Sequence, residues 1–264
     1  MDQKIKFHKY QGAGNDFILI DNRNKLFNHT NTDLVKHLCD RRFGIGADGL
    51  MLLQDTTEFD FEMVYFNSDG HQGSMCGNGG RCIVAFARDL GLIKDETVFL
   101  AVDGEHHATI QQEQVKLGMT DVHEIQMDGD SYILHTGSPH YVTMVNNLAQ
   151  LDVYRQGYAI RNNDTYKQEG INVNFVEREG EGYFLRTFER GVEDETYACG
   201  TGATAVAMAM AFKEGLDGYH EIPVRALGGQ LYVSFEKNHQ TFSNVILKGP
   251  ATFVYEGTIA SDYR

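Results

Sequence analysis

Two stretches set a cysteine among glycines: "GSMCGNGGRC" at 73–82 and "YACGTGATA" at 197–205. Each leads into a helical pattern, "RCIVAFARDLG" closing at Gly91 and "GATAVAMAMAFKEG" closing at Gly215, as C-terminal glycines do. Cys76 and Cys199 therefore stand at helix N-termini, where backbone N–H groups lack intrahelical partners and carry about half a positive charge. That setting favours thiolate over thiol and attracts carboxylate or phosphate groups. The glycines of "CGNGG" and "CGTG" let ligand oxygens approach without interference from a Cβ. Two such thiols suit inversion at a carbon, which needs a base on one face and an acid on the other. If one starts as thiolate and the other as thiol, the roles exchange when the reaction reverses. For an amino acid, the helix N-termini would stabilise the charge that builds on the carboxylate as the α-proton leaves. Neither a metal nor pyridoxal phosphate is required. The remaining cysteines, Cys39 in "KHLCDRR" and Cys82 within the first helix, read as small buried hydrophobes.

The elements that carry these cysteines repeat. "GAGNDFILID" starts 64 residues before Cys76 and "GSPHYVTMV" 62 before Cys199. Gly46 and Gly170 lie 30 and 29 residues upstream of their cysteines, and Phe66 and Phe188 lie 10 and 11 upstream. Gly104 and Gly229 follow them by 28 and 30. Marks in register this often describe two similar halves, 1–124 carrying Cys76 and 125–264 carrying Cys199. Runs such as "DFILID", "FEMVYF", "TVFLAV", "YVTMV", "FLRTF", "LYVSF" and "NVILK" read as strands. "AVAMAMAF" is apolar on nearly every side and so belongs to a helix buried in its half. The expected fold is α+β: two pseudo-symmetric halves, each a strand-rich, barrel-like shell around a central helix. The strand-like "TFVYEGTI" at 252–259 fits either half, with packing on the first as one reading.

Composition narrows the function. With 23 basic against 37 acidic residues the formal charge is −14, and no basic cluster offsets it, which argues against nucleic acid as partner. The first residues show no apolar signal-peptide core, and the longest apolar run is too short for a bilayer, so a cytoplasmic protein with no membrane partner is expected. Four cysteines without a C-x-x-C pair make neither a disulfide framework nor paired zinc ligands, so no metal is expected.

"GAGNDF", "RRFGIGADG", "YFNSDG", "MCGNGGRC", "INVNF" and "ERGVEDETYACGTGA" together resemble the diaminopimelate epimerase family through nearly the whole chain. The resemblance implies a cofactor-independent enzyme that interconverts L,L- and meso-diaminopimelate for lysine and peptidoglycan precursors. It also implies an active site in the cleft between two domains, and a homodimer. Carried over, Cys76 and Cys199 are the acid/base pair, and Gly77, Asn78, Gly200 and Thr201 meet the carboxylate at the reacting centre. Asn15, Asn67, Asn172 and Arg190 match substrate-binding positions for the distal centre. Glu189 and His140 match residues that tune the thiols, with Glu189 counted among the substrate contacts as well. By themselves these residues support plainer readings: His140 and the three asparagines as turn residues, Arg190 and Glu189 as a surface ion pair. Two positions depart from the family, which often has glutamine at Gly49 and asparagine at Ser138.

Other readings remain open on sequence. A proline racemase-type or phenazine-type isomerase would share the fold. A non-catalytic module could capture an anionic amino acid on two helix N-termini. A thiol hydrolase with His140 as base would leave the second cysteine unexplained. The Gly44–Gly49 stretch fits G-x-G-x-x-G, but a helical pattern precedes it and a strand pattern follows, the reverse of a dinucleotide loop.

Overall fold

The computed structural model describes residues 4–28 and 30–260. Two compact units divide the chain, one formed by 1–117 with 250–264 and the other by 118–249. The first unit opens with β1 (Lys4–Gly12) and β2 (Asn15–Asp21), then α1 (Thr32–Cys39), β3 (Gly49–Gln54) and β4 (Glu62–Asn67). After α2 (Gly77–Asp89) come β5 (Glu96–Ala101), β6 (Gly104–Gln111) and β7 (Gln114–Gly118). β1 and β2 are antiparallel, β2 and β3 parallel across α1, and β3 and β4 antiparallel. β5 runs parallel to β4, and β5, β6 and β7 continue as an antiparallel meander.

The second unit repeats this plan. It contains β8 (Gln126–Asp128), β9 (Ser131–His135), β10 (Pro139–Met144), α3 (Val153–Arg161), β11 (Asn172–Glu179), β12 (Gly182–Glu189) and β13 (Asp194–Thr196). There follow α4 (Gly200–Lys213), β14 (Gly218–Ala226), β15 (Gly229–Asn238) and β16 (Thr241–Pro250). β9 and β10 are antiparallel, β10 and β11 parallel across α3, and β11 and β12 antiparallel. β14 runs parallel to β12, and β14, β15 and β16 form the closing meander. The parallel step recurs in each unit because a helix makes the crossover that a short turn cannot. β17 (Thr252–Ala260) returns to the first unit, where it pairs antiparallel with β1 from Lys4↔Ala260 to Gln11↔Thr252.

Each central helix is enclosed, as the sequence leads one to expect. α2 is buried from Gly77 to Ala87 and packs on β1, β2, β3, β4, β6 and β17. α4 is buried from Gly200 to Ala211 and packs on β9, β10, β11, β12, β14 and β15. Apolar residues on all sides of "AVAMAMAF" are thus matched by strands on all sides. Gly91 and Gly215 end these helices at φ +74° and +65°, left-handed conformations that glycine adopts without strain. α1 precedes the glycine-rich loop at 44–49 and β3 follows it, so that loop opens no helix. No described helix is long and apolar enough to cross a membrane.

Candidate active site

Cys76 and Cys199 hold the same position in their respective units. Each is the N-cap of a buried helix, Cys76 at φ −112°, ψ 116° and Cys199 at φ −117°, ψ 113°. This extended cap turns the side chain back over the first turn. Cys76 Sγ accepts from Gly79 N–H at 3.4 Å, and Cys199 Sγ from Gly202 N–H at 3.3 Å. The helical ladders begin one residue later, with Gly80 N–H on the Cys76 carbonyl and Ala203 N–H on that of Cys199. The amides of Gly77, Asn78, Gly200 and Thr201 therefore precede both ladders, at the positive helix ends. A Cβ on Gly202 would lie 2.5 Å from Asn174 Oδ1, so this turn accepts only glycine. Cys199 is 6% exposed, and Cys76 is partly exposed. Cys39 and Cys82 pack in the core, where burial pushes both thiols up to about 12.

Around Cys76 the polar side chains form a continuous network. Asn78 Nδ2 donates to Asn15 Oδ1, and Asn15 Nδ2 donates to Asp48 Oδ2 at 2.9 Å. Arg41 bridges Asp48 and Asp16, and Lys9 pairs with Asp16 at 2.7 Å. Beneath them lies Arg81, a residue that the sequence reading did not single out. It is fully buried, and its guanidinium folds back along α2 to donate to Gly77 O at 3.2 Å and Asn78 Oδ1 at 2.9 Å. Burial lowers Arg81 to about 10, while Cys82 and Cys76 act in the opposite direction. Its signal was present in "GNGGRC": a charge in the middle of an otherwise uncharged helix start. Asn67 sits exposed at the end of β4, in register with Gly49 on β3. The Tyr65 ring occupies the space above Gly49, 2.5 Å from where a Cβ would stand. That ring and the Phe66 carbonyl, 2.6 Å from the same point, leave no room for a Cβ at this departure from the family.

In the second unit His140 is fully buried and in register with Asn172 across the parallel β10–β11 pair. Its Nδ1 lies 3.0 Å from Asn174 Nδ2, and its Nε2 lies 3.0 Å from Ser138 Oγ. Burial pushes its imidazole down to about 3, with His135 and Arg190 acting in the same direction. Ser138 Oγ also meets Asn172 Nδ2 at 3.0 Å and Thr201 Oγ1 at 3.3 Å. Thr201 Oγ1 reaches Cys199 Sγ at 3.4 Å. Asn172 Oδ1 accepts the Arg190 N–H at 2.8 Å, and Arg190 Nη1 donates to the Glu169 carbonyl at 3.0 Å. Glu189 Oε2 accepts from Thr196 Oγ1 at 2.9 Å. The structure thus gathers His140, Asn172 and Thr201 around Cys199, and joins Asn15 and Asn78 beside Cys76. Sequence reasoning missed Asn174 and Thr187 as members of these networks, because isolated polar residues on strands carry no local pattern. Ser138, marked in the sequence only as a departure from the family, lies in the bend before β10.

A family model for diaminopimelate epimerase matches residues 7–125 and 132–254. The chain belongs to the diaminopimelate epimerase family. The diaminopimelate epimerase of Flavobacterium psychrophilum is 52% identical over 257 residues, covering 97% of this chain and 100% of that protein. That of Chlorobaculum tepidum is 44% identical, covering 94% of this chain and 98% of that protein. Among solved structures, a Bacillus anthracis phenazine biosynthesis protein superposes with TM-score 0.77 at 15% identity, covering 97% of this chain and 99% of that one. A probable proline racemase from Agrobacterium radiobacter superposes with TM-score 0.74 at 16% identity, covering 98% and 93%. These two share the fold of the family.

Proposed function

We propose that Cys76 and Cys199 are the two proton-transfer groups of a cofactor-independent epimerisation of L,L-2,6-diaminopimelate to meso-diaminopimelate. Membership of the family fixes the class as an isomerase, an epimerase of lysine biosynthesis. The observation that supports the two-thiol reading is the matched cap geometry, with two sulfurs each accepting the third amide of a buried helix. In the forward step one thiolate takes the α-hydrogen as a proton, so that a C–H bond breaks and an S–H bond forms. The electron pair left on carbon delocalises into the α-carboxylate. The other thiol then gives its proton to the opposite face, and the enzyme is left with the two protonation states exchanged. The early amides of α2 and α4, those of Gly77, Asn78, Gly200 and Thr201, stabilise the carboxylate as its charge rises. Asn15, Asn67, Asn172, Glu189 and Arg190 are read as the substrate-binding set, and Glu189 and His140 as groups that tune the thiols.

The test is solvent deuterium incorporation at the α-carbon. Wild type incorporates deuterium into L,L-diaminopimelate, and Cys76→Ala and Cys199→Ala each lose turnover by about 10²–10⁴-fold. Exchange confined to proline or hydroxyproline would reject the substrate, and full turnover in either alanine variant would reject the two-thiol mechanism. The family resemblance also supports a homodimer, which sedimentation velocity tests.

A further inference from the structure

We propose that Ser138 is a positioning residue for Cys199, joining His140 to Thr201 in a chain of hydrogen bonds whose donors all run toward the Cys199 sulfur. The proposal rests on the reading of Cys199 as a proton-transfer group.

The direction of the chain follows from groups whose role is not free. Asn174 is fully buried, and its Nδ2 faces the Tyr141 carbonyl at 3.0 Å. A carbonyl only accepts, so this contact fixes which end of the amide is nitrogen. Its Oδ1 takes the Thr187 hydroxyl at 3.0 Å. The second hydrogen of Nδ2 goes to His140 Nδ1 at 3.0 Å, the nearer of its remaining acceptors, the Asn172 carbonyl lying at 3.4 Å. Nδ1 therefore presents its lone pair, and the neutral imidazole carries its single proton on Nε2. That N–H donates to Ser138 Oγ at 3.0 Å.

Asn172 supplies a second donor to the same oxygen. Its amide is oriented by the Pro139 carbonyl, 3.1 Å from Nδ2, and by the Arg190 N–H on Oδ1 at 2.8 Å. Nδ2 then reaches Ser138 Oγ at 3.0 Å. With both lone pairs of Ser138 occupied, its hydroxyl hydrogen goes to Thr201 Oγ1 at 3.3 Å. Thr201, having accepted there, turns its own hydrogen to Cys199 Sγ at 3.4 Å. Gly202 N–H meets the same sulfur at 3.3 Å.

Two consequences follow. Cys199 Sγ receives an O–H and an N–H, which together favour its thiolate. His140 acts on it as a donor and not as a base, since its one lone pair is already engaged by Asn174. A proton that Cys199 takes from carbon therefore stays on sulfur. Charged and titratable neighbours reinforce this: His135 on β9 and Arg190 after β12 both oppose protonation of His140. Glu189, at the end of β12, accepts from Thr196 Oγ1. Serine suits the position because a hydroxyl accepts and donates at one atom, whereas an asparagine amide divides those roles between two.

The pH dependence of iodoacetamide alkylation at each cysteine, followed by peptide mass spectrometry, tests the proposal, with Cys76 as the reference within the same molecule. Ser138→Ala is expected to raise the Cys199 midpoint by about one pH unit, a tenfold loss of thiolate below the midpoint, with that of Cys76 unchanged. Ser138→Thr, which keeps the hydroxyl, retains the wild-type midpoint. kcat for α-proton exchange falls in Ser138→Ala with KM little altered. An unmoved Cys199 midpoint, or equal movement at Cys76, overturns the proposal. Should Ser138→Ala not fold, Ser138→Asn takes its place against Ser138→Thr, with the same two outcomes. If Cys199→Ala keeps exchanging the α-proton, the two-thiol reading fails, while the alkylation profile still reports on the hydrogen-bond chain.

Discussion

At Gly49 a hydrogen atom stands where a side chain would collide with Tyr65, whose Cε2 lies 2.5 Å and Oη 2.9 Å from the ideal Cβ position. Restoring the residue often found in the family is therefore unfavourable here. Gly49→Gln is expected to destabilise the protein by about 1–3 kcal/mol through overpacking, measured by urea unfolding. Tyr65→Ala in the same chain removes the ring but leaves the Phe66 carbonyl, 2.6 Å from the same Cβ position, so the double variant should recover part of that loss. Strictly additive effects would show that the carbonyl and not Tyr65 is the obstacle. Cys76 and Cys199 were legible as chemistry because glycine context and helix position are local properties of sequence. Gly49 was legible only as an oddity, since the ring that fills its space comes from the neighbouring strand.

Among the elements, α3 gives the clearest reversal of an ordinary rule. Gly→Ala within an exposed helix stabilises by about 1 kcal/mol, because alanine is the better helix former. Gly157 lies in α3 against β12, and its Cβ would stand 2.3 Å from Phe188 Cβ. Gly157→Ala is thus expected to lower stability, and a raised thermal midpoint would show that α3 is free to shift. Because Phe188 precedes Glu189 and Arg190, the same variant should weaken substrate binding, seen as a higher KM. α2 offers a second case. Arg81 spans its first turn to Gly77 and Asn78 and reaches the Pro250 carbonyl at 3.4 Å. Arg81→Met leaves these three acceptors without their donor and should cost about 3 kcal/mol or more in chemical denaturation. A loss below 1 kcal/mol would mean that the acceptors find other donors. Both helices could be placed from their glycine stops and apolar runs, but what each glycine or arginine touches could not.

For the whole molecule, the buried imidazole of His140 ties stability to pH. Its folded value near 3 lies below the ordinary 6.5, so the unfolded chain takes the proton first as pH falls. The associated stability is present above pH 6.5 and is lost progressively between there and about 3, by up to about 1.4 kcal/mol per pH unit. Acidification also relieves the repulsion within a chain of formal charge −14, which acts in the opposite sense, so the comparison must be between variants. His140→Gln should flatten the decline between pH 6.5 and 4 in urea titrations. Identical slopes in the two proteins would place the protonation elsewhere.

The sequence by itself determined the two-fold repetition, the strand-rich units around buried helices and the two capping thiols. Periodicity, glycine punctuation and helix ends are written in consecutive residues and need no distant partner. It also carried the resemblance that the family match establishes. Tertiary structure alone decided that Tyr65 covers Gly49, that Arg81 braces the helix start beneath Cys76, and that Ser138 links His140 to Thr201. Hydrogen bonds and steric contacts of this kind depend on strand register and on side chains brought together from distant parts of the chain. Ser138 and Thr201 are 63 residues apart in sequence, yet their hydroxyl oxygens lie 3.3 Å apart once β10 and α4 pack together.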